Sequence, residues 1–179
     1  YTANDNTIFA KIAGLRENAT SGNYDAYLAF FTRTNGSSFV SERMRITSTG
    51  NVGIGTTSPA SKLQVAGAIA VAVVTKFFSD SPYTATASDS VILVDASGGD
   101  VTIILPAANT CPGRMYTVKK IDSGTDSVLI QRSGTDFMEA AGTTDLEFPD
   151  QYRYFTVISN GVDGWHIISE GVGGVPAQT

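Results

Sequence analysis

One cysteine, one histidine and one tryptophan stand in a chain of 179 residues, and each scarcity excludes something. Cys111 alone closes no internal disulfide, so stability has to come from packing and assembly. A single histidine and a single cysteine cannot assemble a zinc site of the usual ligand set, and no metal is expected. His166 sits beside Trp165 with no adjacent nucleophile or orienting acid, and Cys111 precedes Pro112 and Gly113 in a turn with nothing to lower its pKa. Both read as structural.

Charge is also sparse, with 12 basic and 17 acidic residues, a net charge of −5 and only 16% charged residues. Apart from Arg43 and Arg45 the basic residues are scattered, which leaves no electrostatic footprint for a phosphate backbone; no nucleic-acid partner is expected. The longest apolar run, residues 66–74 with Gly67 inside it, falls short of the ~20 residues that span a bilayer. No membrane insertion is expected, and the run reads as a buried strand. The chain opens at Tyr1 without a secretory leader pattern, from which we expect a piece of a longer or processed polypeptide.

What is present is glycine, serine, threonine and short apolar alternation, the composition of an all-β chain with many turns. Two small domains in this length would each have a thin core and would need oligomerisation to bury enough apolar surface. The turn-rich residues 79–82 mark the boundary, giving an N-terminal β-region with a stalk-type segment over 1–78 and a C-terminal head over 79–179 that ends in a flexible glycine-rich tail. In the first part, residues 1–23 lean to strand, and 27–32 with Phe39 and Val40 flank Asn35-Gly36 as a hairpin. Three short strands follow at 43–47, 51–55 and 62–65.

The stretch GNVGIGTTSP at 50–59 looks like a phosphate loop, but Ser58 stands where a dinucleotide loop needs its third glycine, and no lysine follows Gly55. Pro59 pushes Ser58 into extended backbone and the following residues alternate like a strand, so no helix N-terminus is available for an anion. By the two-residue period, Met44 with Ile46 and Val52 with Ile54 are apolar faces, while Gly53 and Gly55 form a bare one. A bare glycine face lets another backbone approach closely, and we expect these six residues to pack the stalk of a multi-chain assembly.

From residue 91 onward, strands are predicted at 91–94, 101–105, 115–121, 127–131, 145–148, 152–159 and 165–168. Turn signals between them indicate a β-sandwich or barrel-like domain. Its carboxylates, Asp122, Asp126, Asp136, Glu139, Asp145, Glu147, Asp150 and Asp163, lie mostly in turns, where aspartate bonds local backbone; no catalytic pair is assigned. Asp122 to Asp126 lacks the bidentate glutamate of a standard calcium loop. Sugar recognition uses flat rings backed by hydrogen-bonding groups, and Tyr152, Arg153 and Tyr154 with Arg132 and Asp136 form the candidate receptor-binding set, although Tyr154 and Trp165 also suit a core.

ERMRI at 42–46, GNVGIGTTSP at 50–59 and KLQV at 62–65 together resemble a segment recurrent in bacteriophage tail fibres and tailspikes, and YLAFFT at 27–32 is similar to the strand that often precedes it. VTIILPA at 101–107, Gly113 leading into YTVK at 116–119, and Asn160-Gly161 with GWHII at 164–168 resemble, more loosely, a module of the same fibres. The resemblance implies an elongated homotrimer with intertwined stalk strands and a β-head, located in the virion tail. It implies contacts with other tail components and with a host-surface glycan or protein receptor, and no cofactor. Alternatives in the same family are a glycan-degrading depolymerase with an inter-chain site and a bacterial or prophage adhesin. Many relatives carry a self-cleaving C-terminal chaperone; no segment here resembles it.

Overall fold

The computed structural model describes residues 8–22, 24–139 and 145–172, and nearly half of it is strand. The helical segments among the described residues are two single 3-10 turns, Phe78–Asp80 and Ala108–Thr110. The all-β expectation holds. No described helix is long and apolar enough to cross a membrane.

The chain divides into two units, meeting between Ala70 and Val71. The first holds one five-stranded sheet in chain order: β1 (Ala10–Arg16), β2 (Ala26–Arg33), β3 (Val40–Ile46), β4 (Val52–Ile54) and β5 (Leu63–Val65). The predicted Asn35-Gly36 hairpin joins β2 to β3, with Gly36 at φ 81°, backbone that glycine adopts without strain. A bulge after Phe30 absorbs one extra residue in β3. Pairing continues antiparallel from β3 to β4 and parallel from β4 to β5.

Register settles which side chains share a face. Ile12, Phe30, Met44, Ile54 and Val65 align in one row across all five strands, and Gly14, Leu28, Ile46, Val52 and Leu63 align in the next. Both rows project from the same face, because successive rows two residues apart do. That face is partly exposed: Ile12 is 68% exposed and Leu63 60%, while Phe30, Met44, Ile46, Val52 and Val65 are half-buried.

The opposite face is covered by its own chain. Ala29 and Gly53 are buried there. The Arg45 guanidinium lies 4.1 Å from the Tyr27 ring centroid and makes a two-pronged pair with Glu42 at 2.6 and 2.9 Å. This corrects the reading of the glycines. A Cβ at Gly53 would meet the Thr56 carbonyl oxygen at 2.5 Å and the Pro59 ring at 3.4 Å, so the close approach at this position is made by the loop of the same chain. Gly55 is required by its φ of 72°. Gly53→Val is therefore expected to destabilise the first unit by about 1–3 kcal/mol through overpacking against backbone. Urea unfolding of the variant reads it; an unchanged midpoint would refute the intrachain fit.

The second unit begins earlier than the expected boundary after Phe78. β6 (Val73–Phe77) pairs in parallel with β8 (Val91–Asp95), which carries it into the later sheet. The run at 66–74 is not a buried strand, since residues 66–72 form none and Ile69 and Val71 are exposed.

The remaining strands are β7 (Tyr83–Thr84), β9 (Val101–Ile104), β10 (Met115–Lys120), β11 (Val128–Gln131), β12 (Phe137–Met138), β13 (Asp145–Phe148), β14 (Tyr154–Ser159) and β15 (Gly164–Gly171). They form a six-stranded sheet, β12-β15-β14-β10-β8-β6, and a four-stranded one, β13-β11-β9-β7. From β6 to β11 the chain alternates between the sheets and pairs in parallel within each. Parallel neighbours need a crossover, and here a strand of the other sheet supplies it. The winding repeats after 91 − 73 = 18 and 117 − 91 = 26 residues in one sheet, and after 103 − 83 = 20 and 130 − 103 = 27 in the other.

Alternation within strands makes the core. Ile92 and Val94, Tyr116 and Val118, and Phe155 and Val157 point inward from one sheet, and Val101 with Ile103, Val128 with Ile130, and Phe148 from the other. All belong to one buried apolar cluster together with Trp165 and Met138.

Candidate functional site

The turn from Asp150 to Arg153 leads from β13 into β14 and lies against the end of β10. Lys120 N–H donates to the Arg153 carbonyl at 3.1 Å, Tyr152 N–H to the Lys120 carbonyl at 2.9 Å, and Arg153 N–H to the Asp150 carbonyl at 3.2 Å. These bonds hold Tyr152 at φ 63°, a conformation that costs a non-glycine residue about 1–3 kcal/mol and concentrates at binding sites. The Tyr152 ring is 43% exposed, and Lys119 Nζ lies 5.6 Å from its centroid.

Beside it, Arg153 reaches two exposed carboxylates, Asp150 at 3.4 Å and Glu170 at 3.9 Å, and lies over the Phe155 ring at 5.2 Å. Its Nε has no protein partner among the described residues. Tyr154 follows on the outward side of β14, its hydroxyl 3.4 Å from Ser169 Oγ. Its ring occupies the place of a side chain at Gly171, where a Cβ would collide with it. The result is a surface corner with two phenol rings, two cations and two carboxylates.

Arg132 and Asp136 are not part of it. Asp136 Oδ2 accepts the Ala108 amide at 2.7 Å, and Phe137 after it pairs with Gly164. Trp165, the next residue, pairs with Ser159 at the far end of β14 from Tyr154. Five residue steps along that strand separate the two places by about 17 Å. Arg132 donates to the Gly134 carbonyl in the turn after β11. The sequence set therefore splits, Tyr152, Arg153 and Tyr154 staying together while Lys119 and Glu170 join them. Lys119 is an outward position of β10, so alternation exposes it, but its pairing with Tyr154 is a long-range fact.

Asp122, Glu139, Asp163, His166 and Cys111 are held in contacts within the fold. Asp122 takes the Lys120 ammonium at 2.5 Å and the amides of Ala96 and Gly124 at 2.7 and 2.8 Å. Glu139 accepts the Ile167 amide at 2.5 Å. Asp163 accepts Asn160 Nδ2 at 3.1 Å. The His166 ring stands edge-on to Phe137 at 5.4 Å, and Cys111 is buried with Sγ 3.5 Å from the Ala107 carbonyl.

Carboxyl chemistry points the same way. Burial raises the Asp89 and Asp122 carboxyls, but hydrogen bonds outweigh it: from Thr86 and Tyr83 for Asp89, and from Lys120, Ala96 and Gly124 for Asp122. Both end below the usual range. A glycosidase general acid needs the opposite shift. No cluster of three or more metal-ligating side chains occurs among the described residues.

The chain matches no protein-family model and no curated protein.

Proposed function

We propose that this chain is a structural and host-receptor-binding part of a phage tail fibre, acting as a homotrimer in the virion tail and attaching it to a glycan or protein of the host surface. The observation that carries the reading is the fate of the fibre-like segment at 42–65. It folds as β3, β4 and β5 of the five-stranded sheet, the one sheet among the described residues of the first unit. A single sheet with a partly exposed apolar face is marginal by itself and gains from companion chains.

The Tyr152–Arg153–Tyr154 corner suits the receptor end of the function. Rings give flat contact area to a sugar, and the charged groups around them can pair with hydroxyls or with a charged saccharide. In a trimer three shallow sites act together, so weak single contacts yield strong attachment.

Replacing both Tyr152 and Arg153 by Ala is expected to weaken binding of the purified protein to host cells by about 10-fold or more, the effect of losing a hot-spot pair. Titration of labelled protein on cells reads this; undiminished binding removes the corner from the receptor site. Shortened host polysaccharide after incubation with the protein would favour a depolymerase instead.

A further inference from the structure

We infer that Asn35 is a site of spontaneous covalent modification, at which the Gly36 amide nitrogen closes on the asparagine side chain and converts it to a mixture of aspartate and isoaspartate. Asn160, the first residue of the chain's other Asn-Gly pair, is protected by the fold. The inference is independent of the fibre and receptor readings.

The reaction needs only water. The Gly36 nitrogen, its proton passed to solvent base, attacks the Asn35 carboxamide carbon; the new C–N bond forms, the Cγ–Nδ2 bond breaks, and ammonia leaves carrying a proton from solvent. Water then opens the five-membered imide at either carbonyl, giving aspartate, or isoaspartate with the main chain routed through Cγ. A Cβ on the following residue obstructs the approach of its nitrogen, so glycine in that place leaves the attack most open. Two such pairs occur, at 35–36 and 160–161, and as dipeptides they are identical.

What separates them is how each pair is held. Asn35 and Gly36 are the central residues of a four-residue turn closed by one bond, Ser37 N–H to the Thr34 carbonyl at 3.0 Å. Only Gly36 has positive φ, the type II pattern. Both residues are exposed, and nothing lies within 4 Å of where a Gly36 Cβ would stand. The bonds around the turn, from Arg33 to the Ser37 carbonyl and from Arg43 to Thr34 Oγ1, use neither the Asn35 carboxamide nor the Gly36 N–H. Closure therefore asks for a rotation about the Asn35 Cα–C bond at the loss of one turn bond.

Asn160 is also exposed, so exposure does not decide. Its Oδ1 accepts the amides of Val162, Asp163 and Gly164 at 2.8, 3.1 and 3.1 Å, and its Nδ2 donates to Asp163 Oδ1 at 3.1 Å. The attacking group, the Gly161 N–H, donates to Ser159 Oγ at 3.0 Å. A Cβ at Gly161 would stand 2.8 Å from Pro112 Cβ, so this backbone is packed where that of Gly36 is free. Imide closure at Asn160 gives up all of these bonds, and each one lost slows it several-fold.

The product matters to the first unit. It adds one negative charge, −5 − 1 = −6, in a turn flanked by Arg33 and Arg43. Isoaspartate also lengthens the main chain of the turn that sets the register of β2 on β3.

The test holds the full folded chain in warm, mildly alkaline buffer and follows its tryptic peptides by liquid chromatography and mass spectrometry. Cleavage after Arg33 and Arg43 isolates residues 34–43, and cleavage after Arg153 isolates 154–179; each peptide contains a single asparagine. Residues 34–43 should gain the amide-to-acid mass difference, in two isomeric forms, at least ~10-fold faster than residues 154–179. In a parallel sample unfolded in urea the two rates should come together. Conversion at Asn160 as fast as at Asn35 in the folded chain, or no conversion at Asn35 there, overturns the inference. A rate gap that persists undiminished in urea overturns the protection of Asn160 by the fold.

Discussion

Trp165→Ala is expected to cost the second unit about 3–5 kcal/mol, the range for emptying a large aromatic site in a core. Trp165 is fully buried, and its ring lies 5.6 Å from that of Tyr116. Its indole N–H donates to the Pro106 carbonyl at 3.2 Å, so the substitution also orphans a buried acceptor. The residue joins three strands, since it pairs with Met138 of β12 and Ser159 of β14 while sitting in β15. For a unit near 100 residues each kcal/mol moves the midpoint by about 4–8 °C, so the variant should melt at least 12 °C lower. Trp165→Phe separates the parts, keeping most of the ring and losing only the hydrogen bond, at about 1–2 kcal/mol. Far-ultraviolet circular dichroism follows both, and a drop under 1 kcal/mol for the alanine variant would mean that the core is not built around this ring.

Lys120→Met should be nearly as damaging, at about 3–5 kcal/mol, for an electrostatic reason. Lys120 occupies an inward position of β10 where alternation calls for an apolar side chain, and it has no solvent exposure. Its ammonium is satisfied by the Asp122 carboxylate at 2.5 Å and by the carbonyls of Asp122 and Gly124, each at 3.1 Å. Removing the lysine leaves a nearly buried carboxylate with two amides and no counter-charge. Lys120→Met combined with Asp122→Asn should cost less than the two single changes summed, because the partners are coupled.

The same pair sets a pH dependence. Asp122 is lowered in the fold, so the stability it confers is complete above the unfolded aspartate value of about 3.9 and is lost as pH falls through the lower folded value. Asp89, also lowered, adds to the loss over that acid range. Without Lys120 the Asp122 titration moves up, and acid unfolding should begin at higher pH. Urea midpoints between pH 2 and 7 test this; parallel curves for the two proteins would refute the pairing.

Much of this fold is written locally. The pairs Ile92 and Val94, Tyr116 and Val118, and Val128 and Ile130 announce their strands by alternation, and Asn35-Gly36 and Pro59 place their turns. Strand partners are not local. β10 pairs with β8 across an intervening strand of the other sheet, and no spacing signal distinguishes that winding from a meander. The run at 66–74 misled because apolar character alone reads as burial, whereas only Val73 and Val74 find a ladder partner. At the candidate site, Tyr152, Arg153 and Tyr154 are neighbours in sequence and remain so in space. Arg132 and Asp136 share only residue type with them, which carries no information about the end of the sheet. At Gly53 the sequence marks a close approach without specifying which backbone makes it, and the approach is by Thr56, three residues on.

Light scattering on the purified chain counts the copies in the assembly. The fibre account predicts a stable species of three copies, 3 × 18.8 = 56.4 kDa. A monodisperse species of 18.8 kDa at the same concentration would contradict it, leaving the apolar face of the first sheet without the companion chains on which the account depends.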